Sequence, residues 1–142
     1  MIFKKLDHTK PEDLNQLKVF LSSLNEGASS FRYYKNRPLT IISRHHVTIL
    51  GFEHNVPMAY GHIETENNTN WLGVAVSDNS VGKGAGTKMM NELLEFCREQ
   101  KINPIHLTVD HDNVSAIRLY EKFDFILETE HDSHYKFRLD LS

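Results

Sequence analysis

The chain has 142 residues, 39% apolar and 25% charged, enough for one soluble domain with one core and short for two. Its formal net charge of −3, with no dense basic run, argues against a nucleic-acid partner. The lone Cys97 excludes an intramolecular disulfide and a paired-cysteine zinc site, and the nine histidines are scattered without HExxH spacing, so no metal site is expected.

In chain order, residues 2–6, IFKKL, alternate and predict a short first strand. Residues 8–27 predict a helix: Leu14, Leu17, Leu21 and Leu24 recur at helical spacing, Thr9 and Glu12 have capping-box spacing, Pro11 falls in the first turn, and Gly27 is the expected stop. ASSFRYYKNRPLT, residues 28–40, is irregular and aromatic-rich, a loop or a short second helix. Residues 46–66 divide into two strands at EHNVP, a hairpin signal, and ENNTN is a polar turn. WLGVAV, residues 71–76, is nearly all apolar, the pattern of a strand buried on both faces. A glycine-rich loop follows, then a helix to about Gln100 with Met90, Leu93, Leu94 and Cys97 on one face. After Asn103-Pro104, IHLTVD predicts another buried strand, NVSAIRLYEKF a helix, and FILETE and YKFRLDL a hairpin around HDSH. The expected fold is α/β (α+β), a mixed sheet flanked by helices, in the order β-α-(α)-β-β-β-α-β-α-β-β. The whole of 1–142 is expected to be one domain. No window approaches a membrane span and residues 1–10 have no signal-peptide core, so no membrane partner and a cytoplasmic location are expected.

The loop SVGKGAGTKMM holds Gly82, Gly84 and Gly86 at the mouth of a helix. Nucleotide-hydrolase phosphate loops need GxxxxGK[ST]; here the glycine spacing is one residue short and Thr87 stands where the lysine should be. A dinucleotide fingerprint needs GxGxxG in its first βαβ unit, but position 87 is Thr and the loop follows an antiparallel meander. A tight strand-to-helix turn is the plain alternative. Glycines nonetheless let a backbone approach an anion closely. The amides of Gly82, Lys83, Gly84, Ala85, Gly86 and Thr87 could converge on a pyrophosphate, with side-chain contacts from Thr87 or Lys88.

GVAVSDNSVGKGAGTKMMNELLEFC resembles the coenzyme loop of the GNAT family of N-acetyltransferases, and LTVDHDNVSAIRLYEKFDF resembles its later segment, in the right order and at the right separation. The resemblance covers the whole chain in topology and residues 56–127 in motif. It implies the GNAT fold with a mostly antiparallel sheet, acetyl-CoA as co-substrate, no metal, and acetyl transfer to a primary amine. It implies that Val74, Ala75 and Val76 bind the pantetheine arm and acetyl group, that the glycine loop holds the pyrophosphate, that Asn113 and Ala116 border the coenzyme, and that Tyr120 is the general acid. Two departures stand out: Val81 replaces the family's Gln or Arg, and Asp124 replaces a glycine whose φ, if positive, Asp tolerates better than most residues.

A base must take the ammonium proton. His62 and Glu64, two apart on one strand face, are the catalytic candidates, with Asp110 a further one that could equally cap a helix. His45 and His46 are expected to be solvated. In this fold the acceptor is bound by the first helical region and the strands before the coenzyme loop, here Phe31, Arg32, Tyr33, Tyr34, Trp71 and Asp110. Aromatics with arginines suit a small amine carrying phosphate or carboxylate, such as a nucleotide-linked amino sugar. The alternatives are acetylation of a protein N-terminus or lysine, and a catalytically silent coenzyme-binding domain. A monomer or homodimer is expected.

Overall fold

The computed structural model describes residues 1–24 and 31–141, so the Gly27 stop lies outside the described residues. Seven strands form one sheet: β1 (Ile2–Lys5), β2 (Val47–Glu53), β3 (Val56–Glu66), β4 (Thr69–Val76), β5 (Ile105–Asp110), β6 (Ile126–Glu130) and β7 (His134–Leu139), in spatial order β1-β2-β3-β4-β5-β7-β6. Every pairing is antiparallel except β4 with β5. The helices are α1 (Pro11–Ser22), α2 (Ala85–Gln100) and α3 (Val114–Lys122). The bracketed second helix is realised as a 3-10 segment at Leu39–Arg44, after irregular residues 31–38.

Strand alternation sorts the core into two layers. On one face Leu50, Tyr60 and Ala75 pack with Leu17, Phe20 and Leu24 of the α1 region and with Ile42. On the other, Ile49, Ile63 and Leu72 pack with Met89, Met90, Leu93, Leu94 and Cys97 of α2 and Tyr120 of α3. A Cβ on Gly61 would lie 2.7 Å from Leu93 Cδ1, so the glycine lets α2 cross close over β3.

Two expectations need correction. The capping box does not form: α1 starts at Pro11, which puts Lys10 at the cap, and the Thr9 hydroxyl donates instead to Asp7 Oδ1 at 2.6 Å. WLGVAV is not buried on both faces; only Leu72 and Ala75 are buried in β4, because a cleft opens beside the strand. Of the two readings offered for 28–40, the loop holds over the described residues 31–38, and 3-10 turns begin at Leu39 after an extended Pro38. Asp124 takes φ +70°, the conformation that its place in the motif anticipated. No described helix is long and apolar enough to cross a membrane.

Candidate active site

β4 and β5 are parallel, and their ladder holds a single register pair, Trp71↔His106. Beyond it no further pair forms between the two strands, and Val74, Ala75 and Val76 line a cleft of about 1250 Å³. The glycine loop closes one end. Gly82 and Gly84 both have φ +81°, and a Cβ on either would meet nothing within 4 Å. Gly84 caps α2 in the left-handed conformation and has no side chain to offer the amides of the first turn. Those amides have no carbonyl partner within the helix and present partial positive charge. Open space before two left-handed glycines and an uncapped helix N-terminus fit a phosphate group.

Gly86 serves otherwise: a Cβ there would lie 3.0 Å from Leu119 Cδ2, so it permits close packing of α2 against α3. Gly82, Gly84, Ala85, Gly86, Thr87, Asn113 and Ala116 line the cleft. Lys83 and Lys88 are exposed and do not line it, and the Lys83 amide is spent on the Ser80 carbonyl at 3.1 Å, inside the turn that precedes the helix. The Thr87 hydroxyl accepts from Lys122 Nζ at 3.2 Å. Asn113 caps α3 by accepting from the Ala116 amide, as its residue type suggests, and also borders the cleft. Val81, 59% exposed, lies at the rim. Tyr120 lines the cleft from α3, and burial alone pushes its hydroxyl up to about 12, so it keeps its proton at neutral pH.

The other half of the cleft is built on β3. Tyr60, His62 and Glu64 alternate on the face that carries Leu50, and the register sets Thr48 and Gly73 on either side of His62 and Trp71 beside Glu64. The His62 ring lies flat on Gly73, where a Cβ would come within 2.4 Å of His62 Cε1. Its Nδ1 is 2.6 Å from the Tyr60 hydroxyl, which is 2.6 Å from that of Tyr34. The Tyr33 hydroxyl donates to Glu64 Oε1 at 2.7 Å and lies 2.8 Å from His45 Nε2. Because that hydroxyl has one proton and gives it to Glu64, His45 Nε2 is the donor to Tyr33, and Nδ1 then accepts from Thr48 Oγ1 at 2.7 Å.

Burial, then the charges of His45 and Arg37, holds His62 well below the usual histidine range; it is a weak base. Burial, then Arg37 and His46, brings His45 down to about 4. His45 is thus part of the network and not solvated as expected; His46, bonded to Thr65, has an exposed hydrogen bond. Arg32 grips Asp110 through two hydrogen bonds of 3.0 and 2.9 Å, which hold the Asp110 carboxyl below its usual range and make it a poor base. Phe31, Arg32, Tyr33, Trp71 and Asp110 line the cleft. Tyr34 does not: its ring packs on the core beside Phe31 and Tyr60.

His45, His62 and Glu64 bring donor atoms within 4.8 Å of one another, a proximity hidden by linear spacing. The two imidazoles are stacked at 4.3 Å and 19°, and Tyr33 already bridges His45 and Glu64; an ion joining those two atoms would have to displace it. Sequence reading missed His45, Thr48 and Tyr60. The available signal was three polar side chains, Tyr60, His62 and Glu64, alternating with Ala59, Gly61 and Ile63 in one strand.

A family model described as the acetyltransferase (GNAT) family matches residues 14–125. The spermine/spermidine N(1)-acetyltransferase of Bacillus subtilis (strain 168) is 34% identical over 71 residues, 49% of this chain and 47% of that protein. The probable spermine N(1)-acetyltransferase of Bacillus subtilis subsp. natto (strain BEST195) is 40% identical over 52 residues, 36% of this chain and 34% of that protein. The chain therefore spans about half, or a third, of the curated relatives it matches. Both are named for polyamines; neither is named for an amino sugar. Among solved structures, the GNAT domain of S. lividans PAT superimposes with TM-score 0.82 at 13% identity, covering 98% of this chain and 89% of that one. The PaiA N-acetyltransferase from Thermoplasma acidophilum, in complex with coenzyme A, gives 0.78 at 16%, covering 98% of each. At these identities the likeness is one of fold.

Proposed function

The chain belongs to the GNAT acetyltransferase family, and on that premise we propose that it moves the acetyl group of acetyl-CoA to a primary amine of a small polyamine. The observation that carries the acceptor class is the charge of the cleft wall away from the glycine loop: three carboxylates, Glu64, Glu66 and Asp110, against two guanidinium groups, Arg32 and Arg37. Arg32 is matched by Asp110, and Arg37 lies over the Tyr33 ring at 4.2 Å. Such a wall favours an acceptor with several ammonium groups over an anionic sugar nucleotide, and the partial likeness to two polyamine acetyltransferases supports the same class.

In this reading the loop backbone at Gly82 and Gly84 and the first turn of α2 hold the pyrophosphate. The strand at Val74, Ala75 and Val76 receives the thioester arm, where backbone amides polarise the carbonyl as negative charge develops on it. Glu64, reached from the cleft and oriented by Tyr33, takes the ammonium proton. Tyr120 gives a proton to the leaving thiolate. Trp71, with Lys136 over its ring at 5.5 Å, and Phe31 provide apolar walls for the methylene chain between ammonium groups.

The test is thiol release from acetyl-CoA with spermine, spermidine, a simple alkyl monoamine, a lysine peptide and a nucleotide-linked amino sugar. Release raised most by the polyamines supports the reading. Release raised only by the sugar nucleotide or the peptide, or by none of them, overturns it.

A further inference from the structure

Acetylation of an ammonium group liberates one proton per turnover: an ammonium and a thioester give an amide, a thiol and H⁺. The nitrogen loses two protons, one ending on the thiol and one in solvent. The first must leave before the nitrogen can attack, when both substrates occupy the mouth of the cleft. A second depression of about 500 Å³ shares no lining residue with that cleft and is bordered by Lys5, His8, Ser43, His45, His46 and Thr48, among others. Three consecutive hydrogen bonds join the two spaces: Glu64 Oε1 to the Tyr33 hydroxyl at 2.7 Å, Tyr33 to His45 Nε2 at 2.8 Å, and His45 Nδ1 to Thr48 Oγ1 at 2.7 Å. Glu64 and Tyr33 line the cleft; His45 and Thr48 line the depression.

We propose that this chain of groups is the exit for the proton of the acceptor ammonium, carrying it from Glu64 through Tyr33 and His45 to the second depression; the inference rests on the acetyl-transfer reading above. Glu64 receives the proton. Exchange of the imidazole tautomer through the depression first moves the resting His45 proton from Nε2 to Nδ1; the Tyr33 hydroxyl then turns about its C–O bond, accepts from the Glu64 carboxyl and passes its own proton to His45 Nε2. With Nε2 as acceptor, Nδ1 holds the other proton and releases it toward Thr48 Oγ1 and water in the depression. Tyr33 and Thr48 regain a proton for each one they pass on, and Glu64 returns to the carboxylate. Rotation of hydroxyl groups and exchange of the imidazole tautomer reset the chain without moving the backbone. His45 is faced by Tyr33, Arg37, His46, Thr48 and the stacked His62 ring. It rests neutral at pH 7, its pKa brought to about 4 by burial first, and bears a second proton only in transit. His45 touches neither substrate; it acts through Tyr33 and Glu64.

The experiment compares the parent chain with His45→Ala and His45→Gln in acetyl transfer to spermine, with and without added imidazole. Gln can hold Tyr33 by hydrogen bonding but cannot relay a proton. The relay predicts that kcat falls about 100-fold in both variants, with KM for acetyl-CoA and spermine unchanged. It further predicts that millimolar imidazole, entering the depression, restores His45→Ala saturably and in its neutral form. Parent-like kcat in His45→Gln overturns the relay, and so does a slow His45→Ala that imidazole does not rescue while it folds with the parent's thermal midpoint. If His45→Ala does not fold, His45→Gln decides alone. An inactive parent chain is a different result: it overturns the acetyl-transfer reading and the relay with it.

Discussion

Tyr120 and Gly73 each do one thing that a single substitution isolates. Tyr120 lines the cleft with a hydroxyl that stays protonated at neutral pH. Tyr120→Phe keeps the ring and its edge-to-face contact with Phe125 at 6.0 Å, so acetyl-CoA affinity should hold while kcat drops about 10- to 100-fold. Titration calorimetry beside steady-state kinetics separates the two quantities, and an unchanged kcat removes Tyr120 as the acid. Gly73 supports the other half of the site. Its missing side chain is the space in which His62 lies, so Gly73→Ala must push the ring off the strand and out of its contacts with Tyr60, Tyr33 and His45. Overpacking of this kind costs about 1–3 kcal/mol. The expected result is a lower thermal midpoint together with a loss of turnover. A parent-like midpoint would mean that the ring has room to move.

Among the elements, α2 and the loop before it were the most legible in sequence, because their signals are local. Met90, Leu93, Leu94 and Cys97 repeat at helical spacing and are all buried, and Gly82 and Gly84 stand where the chain needs φ of +81°. Local reading failed where a neighbour decides. The start of α1 was misplaced because Asp7, six residues before Asp13, competes for the Thr9 hydroxyl. The burial of β4 was overstated because an apolar strand beside a cleft has the same composition as one inside a sheet. Lys83 was given to the ligand because spacing does not reveal that its amide closes a turn onto Ser80. The element also sets how the loop can be tested. A β-branched residue at Gly84 would be strained at its left-handed φ, confusing lost binding with a damaged helix start. Asn tolerates that conformation and projects a side chain into the open space before the helix. Gly84→Asn should therefore leave helix content and thermal midpoint nearly unchanged and weaken acetyl-CoA by about tenfold or more. Undiminished affinity would reduce the loop to a turn.

Across the whole molecule, the polar network is what the sequence hid most completely, because it is assembled by register. His45 lies ahead of β2, Thr48 on β2, His62 and Glu64 on β3 and Tyr33 in the segment after α1; only the folded sheet and its covering loop bring them together. Its burial has a consequence for global stability. In the unfolded chain a histidine titrates near ~6.5. In the fold His45 is brought to about 4 and His62 well below its usual range, burial being the first cause for both. Between those values the unfolded chain binds more protons than the native one, so stability rises with pH through this window. The contribution is fully present above about pH 6.5 and is lost as pH falls toward 4. Asp13, where burial pushes the carboxyl up but Lys4 and the Asp7 amide together bring it lower, and Asp110, held down by Arg32, add a further loss only below the ordinary carboxylate range. Urea midpoints at pH 7.5 and pH 5 separate these groups, since the carboxylates are ionised at both. The midpoint should be clearly lower at pH 5, and the difference should shrink in His45→Gln, which removes one of the two titrating imidazoles. Equal midpoints at the two pH values would mean that both rings charge inside the fold without cost, and the neutral network between β3 and the covering loop would not be the resting state.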